Sequence, residues 1–183
     1  MYSKYHEHVI RKVFAGMVEQ AFFAEVGVCD PRVTDYLVMM MLEFIHVDGL
    51  YRLRDRAGRR LKSLSEMRDW KDEDLWREMG VSPREFHRYL GDFALFWAGL
   101  FPEGLEGRRR SALPDRLAEY VGTGKESYAI ASRLFDEESD PPGSVLRRLS
   151  NDFEVCAHGL GLVRQHWDRR DGLNLDEPPT LVY

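Results

Sequence analysis

Residues 82–102, "SPREFHRYLGDFALFWAGLFP", spell out a helix that cannot lie on a surface. Ser82, Pro83 and Glu85 form a capping box with proline at the first helical position, and Pro102 stops the helix near Phe101. On a helical wheel Phe86, Leu90, Phe93 and Trp97 share a stripe, while Leu95 lies opposite. The turns over 93–101 are therefore apolar on every side, and a polar face exists only from Arg84 to Asp92. Such a helix has to be wrapped by other elements. The stretch "PRVTDYLVMMMLEFIHV" (31–47) is apolar nearly all round and is also expected to be central, with Asp30 as its cap and Pro31 in its first turn.

The rest of the chain supplies the wrapping. Ile10, Val13, Phe14, Met17, Ala21 and Ala24 follow helical spacing, and Gly27 ends that helix. Another helical segment runs over 65–79, broken near Lys71. Pro114 opens a short helix closed by Gly122, after which Thr123 and Glu126 read as a second capping box. From Ser144 to Arg170 one helix carries Val145, Leu149, Phe153, Cys156, Leu160, Val163 and Trp167 on a single face. Between these, "DGLYRLRDRAGRRLKSL" breaks the helical rhythm. Leu50 and Leu53, then Leu61 and Leu64, flank a charged turn around Gly58, which reads as a short hairpin. With 44% apolar and 31% charged residues the chain can fill a core and solvate its surface, which excludes global disorder. The expectation is a mainly α fold. Residues 1–183 form one domain, a bundle of about six to seven helices with one short β-hairpin near residues 50–64, and the tail, 171–183, is extended and docked on the body.

No run approaches the roughly 18 apolar residues of a membrane span, and the N-terminus lacks the apolar region of a secretory signal. Cys29 and Cys156 are too few for a disulfide scaffold and read as buried free thiols, so a soluble cytoplasmic protein is expected. A formal charge of −5 argues against broad nucleic-acid affinity.

"DLWREMGVSPREFHRYL" (74–90) nonetheless resembles the helix-turn-helix of AraC-type transcription regulators, through Leu75, Gly80, Val81, Ser82, Pro83, Arg84, Phe86, Arg88 and Leu90. The resemblance covers under a tenth of the chain and implies that Arg84, His87 and Arg88 face the major groove of DNA. The residues themselves pull the other way. Trp76 stands where two helix axes would need a small side chain to cross closely, and the apolar run 93–101 leaves no free recognition face.

Other chemistries are weighed in the same manner. "GTGKES" (122–127) lacks the glycine spacing of a phosphate loop, and Glu126 stands where a hydroxyl would hold magnesium. Glu43 and His46 have the spacing used in carboxylate-bridged metal bundles, with Asp35 one stripe away. Glu154 and His158 would be the second pair, but they fall on the polar side of the last helix. A metalloenzyme built on Asp35, Glu43 and His46 is therefore an alternative, and no cofactor is expected. No nucleophile–base grouping is legible, which favours binding over catalysis.

The strongest charge feature is "YRLRDRAGRRLK" (51–62), where Asp55 is the only acid among Arg52, Arg54, Arg56, Arg59, Arg60 and Lys62. Arginine crowds of this kind need carboxylates opposite. These could come from within, from "KDED" (71–74) or "DEESD" (136–140), or from an acidic protein partner or a second copy of the chain. The sequence favours the partner.

Overall fold

The capping box at Ser82 is in place. Ser82 Oγ accepts the Glu85 amide at 3.2 Å and the Glu85 carboxylate accepts the Ser82 amide at 2.8 Å. The helix it starts runs over Pro83–Leu100 and passes through the middle of the molecule, with Leu95 at 0% exposure and its neighbours from Gly91 to Phe96 all buried. In the computed structural model the described residues are 2–70, 73–78, 80–105, 116–134 and 140–171, and among them there is no strand.

The helices, in chain order, are α1 (Tyr2–Glu19), α2 (Pro31–Phe44), α3 (Val47–Leu50), α4 (Leu64–Asp69), α5 (Glu73–Glu78), α6 (Pro83–Leu100), α7 (Arg116–Arg133), α8 (Gly143–Asn151) and α9 (Phe153–Asp171). The central α6 packs against α7 and α9, and α7 packs in turn against α8. Two glycines let backbones come close. A Cβ at Gly91 would meet the Tyr128 ring at 2.7 Å, and one at Gly99 would meet Leu160 Cβ at 2.7 Å. α1 crosses α2 and continues as a π-helix over Gln20–Val26, ended by Gly27 in the left-handed region at φ 78°.

Several sequence expectations change, beginning with the helix count, which is nine among the described residues rather than six to seven because short helices at 47–50, 64–69 and 73–78 and a split final helix add to it. The hairpin near residues 50–64 does not form strands. Arg54 and Arg60 make one isolated antiparallel bridge, and Leu61 N–H donates to Leu53 O at 3.0 Å. The arms have no room for a ladder, because α3 ends at Leu50 and a second capping box, Ser63 with Glu66, begins α4. What holds the turn is Asp55, whose Oδ1 accepts the Ala57 amide at 3.0 Å and the Arg59 amide at 2.9 Å. Leu50, Leu53, Leu61 and Leu64 are buried beneath it, as their spacing required.

The box at Thr123 and Glu126 is absent, because α7 runs straight through both residues. Gly124 faces Phe153 so closely that a Cβ would lie 2.4 Å from the ring, so packing offsets the low helix propensity of glycine. The long final helix is two helices, α8 and α9, interrupted at Asp152. The thiol of Cys29 is exposed rather than buried, while Cys156 is buried and its thiol is pushed up to about 12, mainly by loss of solvent. The tail from residue 172 onward lies outside the described residues, and Asp171 belongs to α9.

α2 is central on one side only. Val33, Leu37 and Phe44 are fully buried, but Asp35 is exposed and Met39 is 49% exposed. No described element covers that face, and the functional candidate lies along it.

Candidate functional site

Asp92 sits in α6 between apolar neighbours and is 1% exposed. The sequence had placed it at the end of a solvated face. Burying a carboxylate is costly unless it is satisfied. Here Oδ1 accepts Tyr36 Oη–H from α2 at 2.5 Å and Tyr128 Oη–H from α7 at 2.8 Å, and Oδ2 accepts Arg88 Nη1–H at 3.4 Å. Burial pushes the Asp92 carboxyl up, and Arg88 with the two phenols works against that shift. Burial also raises both phenols, with the Asp92 charge adding to it, so each stays a hydroxyl donor. Desolvation works against the Arg88 charge, but Asp92, Tyr36 and Glu43 outweigh it and the guanidinium is held protonated. The sequence carried one signal for this cluster, a lone aspartate inside an apolar helix, and nothing that named its two tyrosines.

Arg88 and Tyr36 form part of the wall of an open groove of about 1480 Å³ that follows the face of α2 left open by the described residues. His8 and Arg11 of α1 line the groove, as do Pro141 and Pro142 just before α8 and Val145 within it. Met39, Leu42 and Ile45 contribute apolar surface, interspersed with Arg32, Asp35, Glu43 and His46. The lining thus alternates apolar side chains with charges of both signs.

The residues singled out for metal binding, Asp35, Glu43 and His46, all line this groove but do not converge. Glu43 is paired with Arg52 at 3.4 Å, Asp35 and His46 are exposed, and no group of three His, Cys, Asp or Glu among the described residues could hold a metal ion. Glu154 points outward, as its position on the wheel required, and binds Lys125 Nζ at 2.8 Å.

The helix-turn-helix candidates are engaged inside the fold. Arg84 Nη2 donates to Pro141 O, and Arg88 serves Asp92. His87 is half-buried against the Phe86 ring, and burial lowers its pKa while Glu126 opposes the shift. Trp76 is accommodated by stacking on Phe86 at 4.1 Å, with Trp70 at 5.8 Å completing a ring cluster that fills the angle between α5 and α6.

The arginine loop finds carboxylates close at hand, but different ones from those the sequence suggested. Arg59 pairs with Asp55 at 3.0 Å and Glu66 at 3.2 Å. Arg60 pairs with Asp48 at 2.5 Å, and Arg52 lies over the Tyr89 ring at 4.6 Å while bonding Glu43. Arg54 donates to Gly58 O at 3.2 Å, and Arg56 is exposed. Residues 71–72 and 136–139 of the acidic runs lie outside the described residues.

No protein-family model matches the chain, and neither curated proteins nor solved structures match it.

Proposed function

We propose that the protein works by binding, and that the groove along α2 receives a segment of polypeptide from a protein partner. The observation that carries this reading is the groove's size taken with its lining. At about 1480 Å³ it exceeds the roughly 300–1,000 Å³ typical of small-molecule sites. A ligand meeting Met39 and Leu42 beside Arg11, Arg32, Asp35 and Glu43 needs apolar groups and both charges along its length, which is the make-up of a peptide. Methionine suits such a surface because its side chain repacks readily.

The test is a selection of random linear peptides against the full chain, followed by fluorescence anisotropy. Micromolar binders are expected, weakened at least tenfold by Met39→Glu or Leu42→Glu. Both positions carry partly open side chains, so the fold should survive. Peptides that bind these variants unchanged, or no binder below millimolar, would overturn the reading.

A second reading keeps an acidic protein partner, or a second copy of the chain, on the arginine loop. It is favoured by the exposure of Arg54, Arg56 and Arg59, the last with 65% of its side chain open. Loss of salt-sensitive association in Arg59→Glu with Arg60→Glu, beyond the few degrees of melting temperature that loss of their internal ion pairs costs, is the result it requires.

A further inference from the structure

Ile45, just beyond α2, belongs to two walls at once. One is the groove; the other is an adjoining notch of about 150 Å³. Phe14, Met41, Phe96, Leu100 and Trp167 close round the notch from α1, α2, α6 and α9. Its charged lining residue among those described, Arg164, is already committed: Nη1 donates to Leu100 O at 2.6 Å and pairs with Glu103, and the guanidinium lies 5.1 Å from the Phe101 ring centroid. A water molecule needs two or more polar partners to settle, and this wall offers it almost none. A space of this volume with so apolar a lining is large enough for a benzene-sized guest. The Phe14 and Trp167 rings, 5.3 Å apart and tilted by 42°, present ring edges and faces to such a guest.

We propose that the notch is the anchor subsite of the groove, receiving one phenyl-sized apolar side chain of the bound polypeptide. The proposal rests on the groove being a peptide site, and it adds the specificity that a shallow mixed surface lacks. Buried anchors dominate the energetics of such interfaces, while the surrounding contacts mainly exclude water. A segment with an aromatic residue should therefore be selected over the same segment with alanine in its place.

Benzene is the probe for the notch alone, and peptides from the selection above are the probe for the whole site. On the full chain carrying methyl-labelled methionine, benzene should shift the Met41 methyl resonance saturably. Ile45→Trp should abolish the shift, fill the notch and weaken an aromatic-containing peptide at least tenfold, with melting temperature retained. Competition between benzene and that peptide on the unsubstituted chain gives the same answer without relying on any variant. If peptides bind through Met39 but are indifferent to benzene and to Ile45→Trp, the anchor proposal fails and the groove reading survives. If benzene enters but no peptide binds, the groove reading fails and takes the anchor role with it. A benzene shift seen only after removal of residues 172–183 would assign the notch to the chain's own tail and overturn the proposal.

Discussion

Asp92 does at the scale of one residue what a disulfide does in smaller proteins: it ties elements that are far apart in sequence. Tyr36 and Tyr128 both donate to the same oxygen, joining α2 and α7 to α6. Such a group is costly to leave half satisfied. Asp92→Ala strands the Arg88 charge and both phenols, and should cost about 3–5 kcal/mol, toward the lower end because 19% of the Arg88 side chain remains open. Tyr128→Phe removes a single donor and should cost about 1–3 kcal/mol. Urea unfolding of the two variants checks both the order and the gap. His87 gives a pH effect of known sign. Its folded pKa lies below the ordinary value of 6.5 because of burial. The unfolded chain therefore takes up the proton first, and stability is lost as pH falls through about 6.5. The fall in melting temperature between about pH 7.5 and 5.5 should shrink in His87→Phe. An equal fall in both proteins would contradict this. At this scale the sequence was least informative. Periodicity locates Asp92 on a helix, but only the packing of α2 and α7 decides that its side chain never reaches water.

Elements were more legible, because their ends are written in local chemistry. The N-cap at Asp30 with Pro31 behind it and the capping box at Ser82 with Glu85 stand where spacing placed them. Ser63 with Glu66 was equally readable but was hidden by the pull of the leucine pattern toward a hairpin. The false box at Thr123 shows the limit. Its residues are right, and tertiary contact at Gly124 overrides them. Two predictions belong here. Leu95→Arg places an unpaired charge at a fully buried point of α6 and should cost several kcal/mol, against a whole-domain stability of about 5–15 kcal/mol. Circular dichroism should show a chain largely unfolded or melting far lower, and a native melting curve would disprove the central placement of α6. In the arginine loop, Arg59→Glu with Arg60→Glu sets like charges against Asp55, Glu66 and Asp48. The internal pairing should make itself felt as a melting temperature a few degrees lower, with sedimentation unchanged in low and high salt. That outcome would also weigh against the partner reading of the same loop.

For the whole molecule, mainly α character followed from periodicity but the helix count did not, since nine α-helices stand among the described residues against the six to seven expected, and no described helix is long and apolar enough to cross a membrane. The groove was not legible, since it arises where no described element covers α2 rather than from any motif along it. Asp35, Glu43 and His46 do belong to that groove, although the sequence grouped them for a metal that their separation does not serve. The shared oxygen of Asp92 also bears on how this fold can drift over evolutionary time. Losing the acid alone orphans two hydroxyls and a cation, whereas exchanging all four groups for apolar ones of similar shape is nearly neutral. Substitution should therefore be concerted: among divergent descendants, the residues at positions 36, 88, 92 and 128 should change as a set or not at all. The chain itself can show this, because Asp92→Leu combined with Tyr36→Phe, Tyr128→Phe and Arg88→Met should unfold at higher urea than Asp92→Leu alone. Each intermediate step would be less stable than either end, a valley that a lineage crosses rarely.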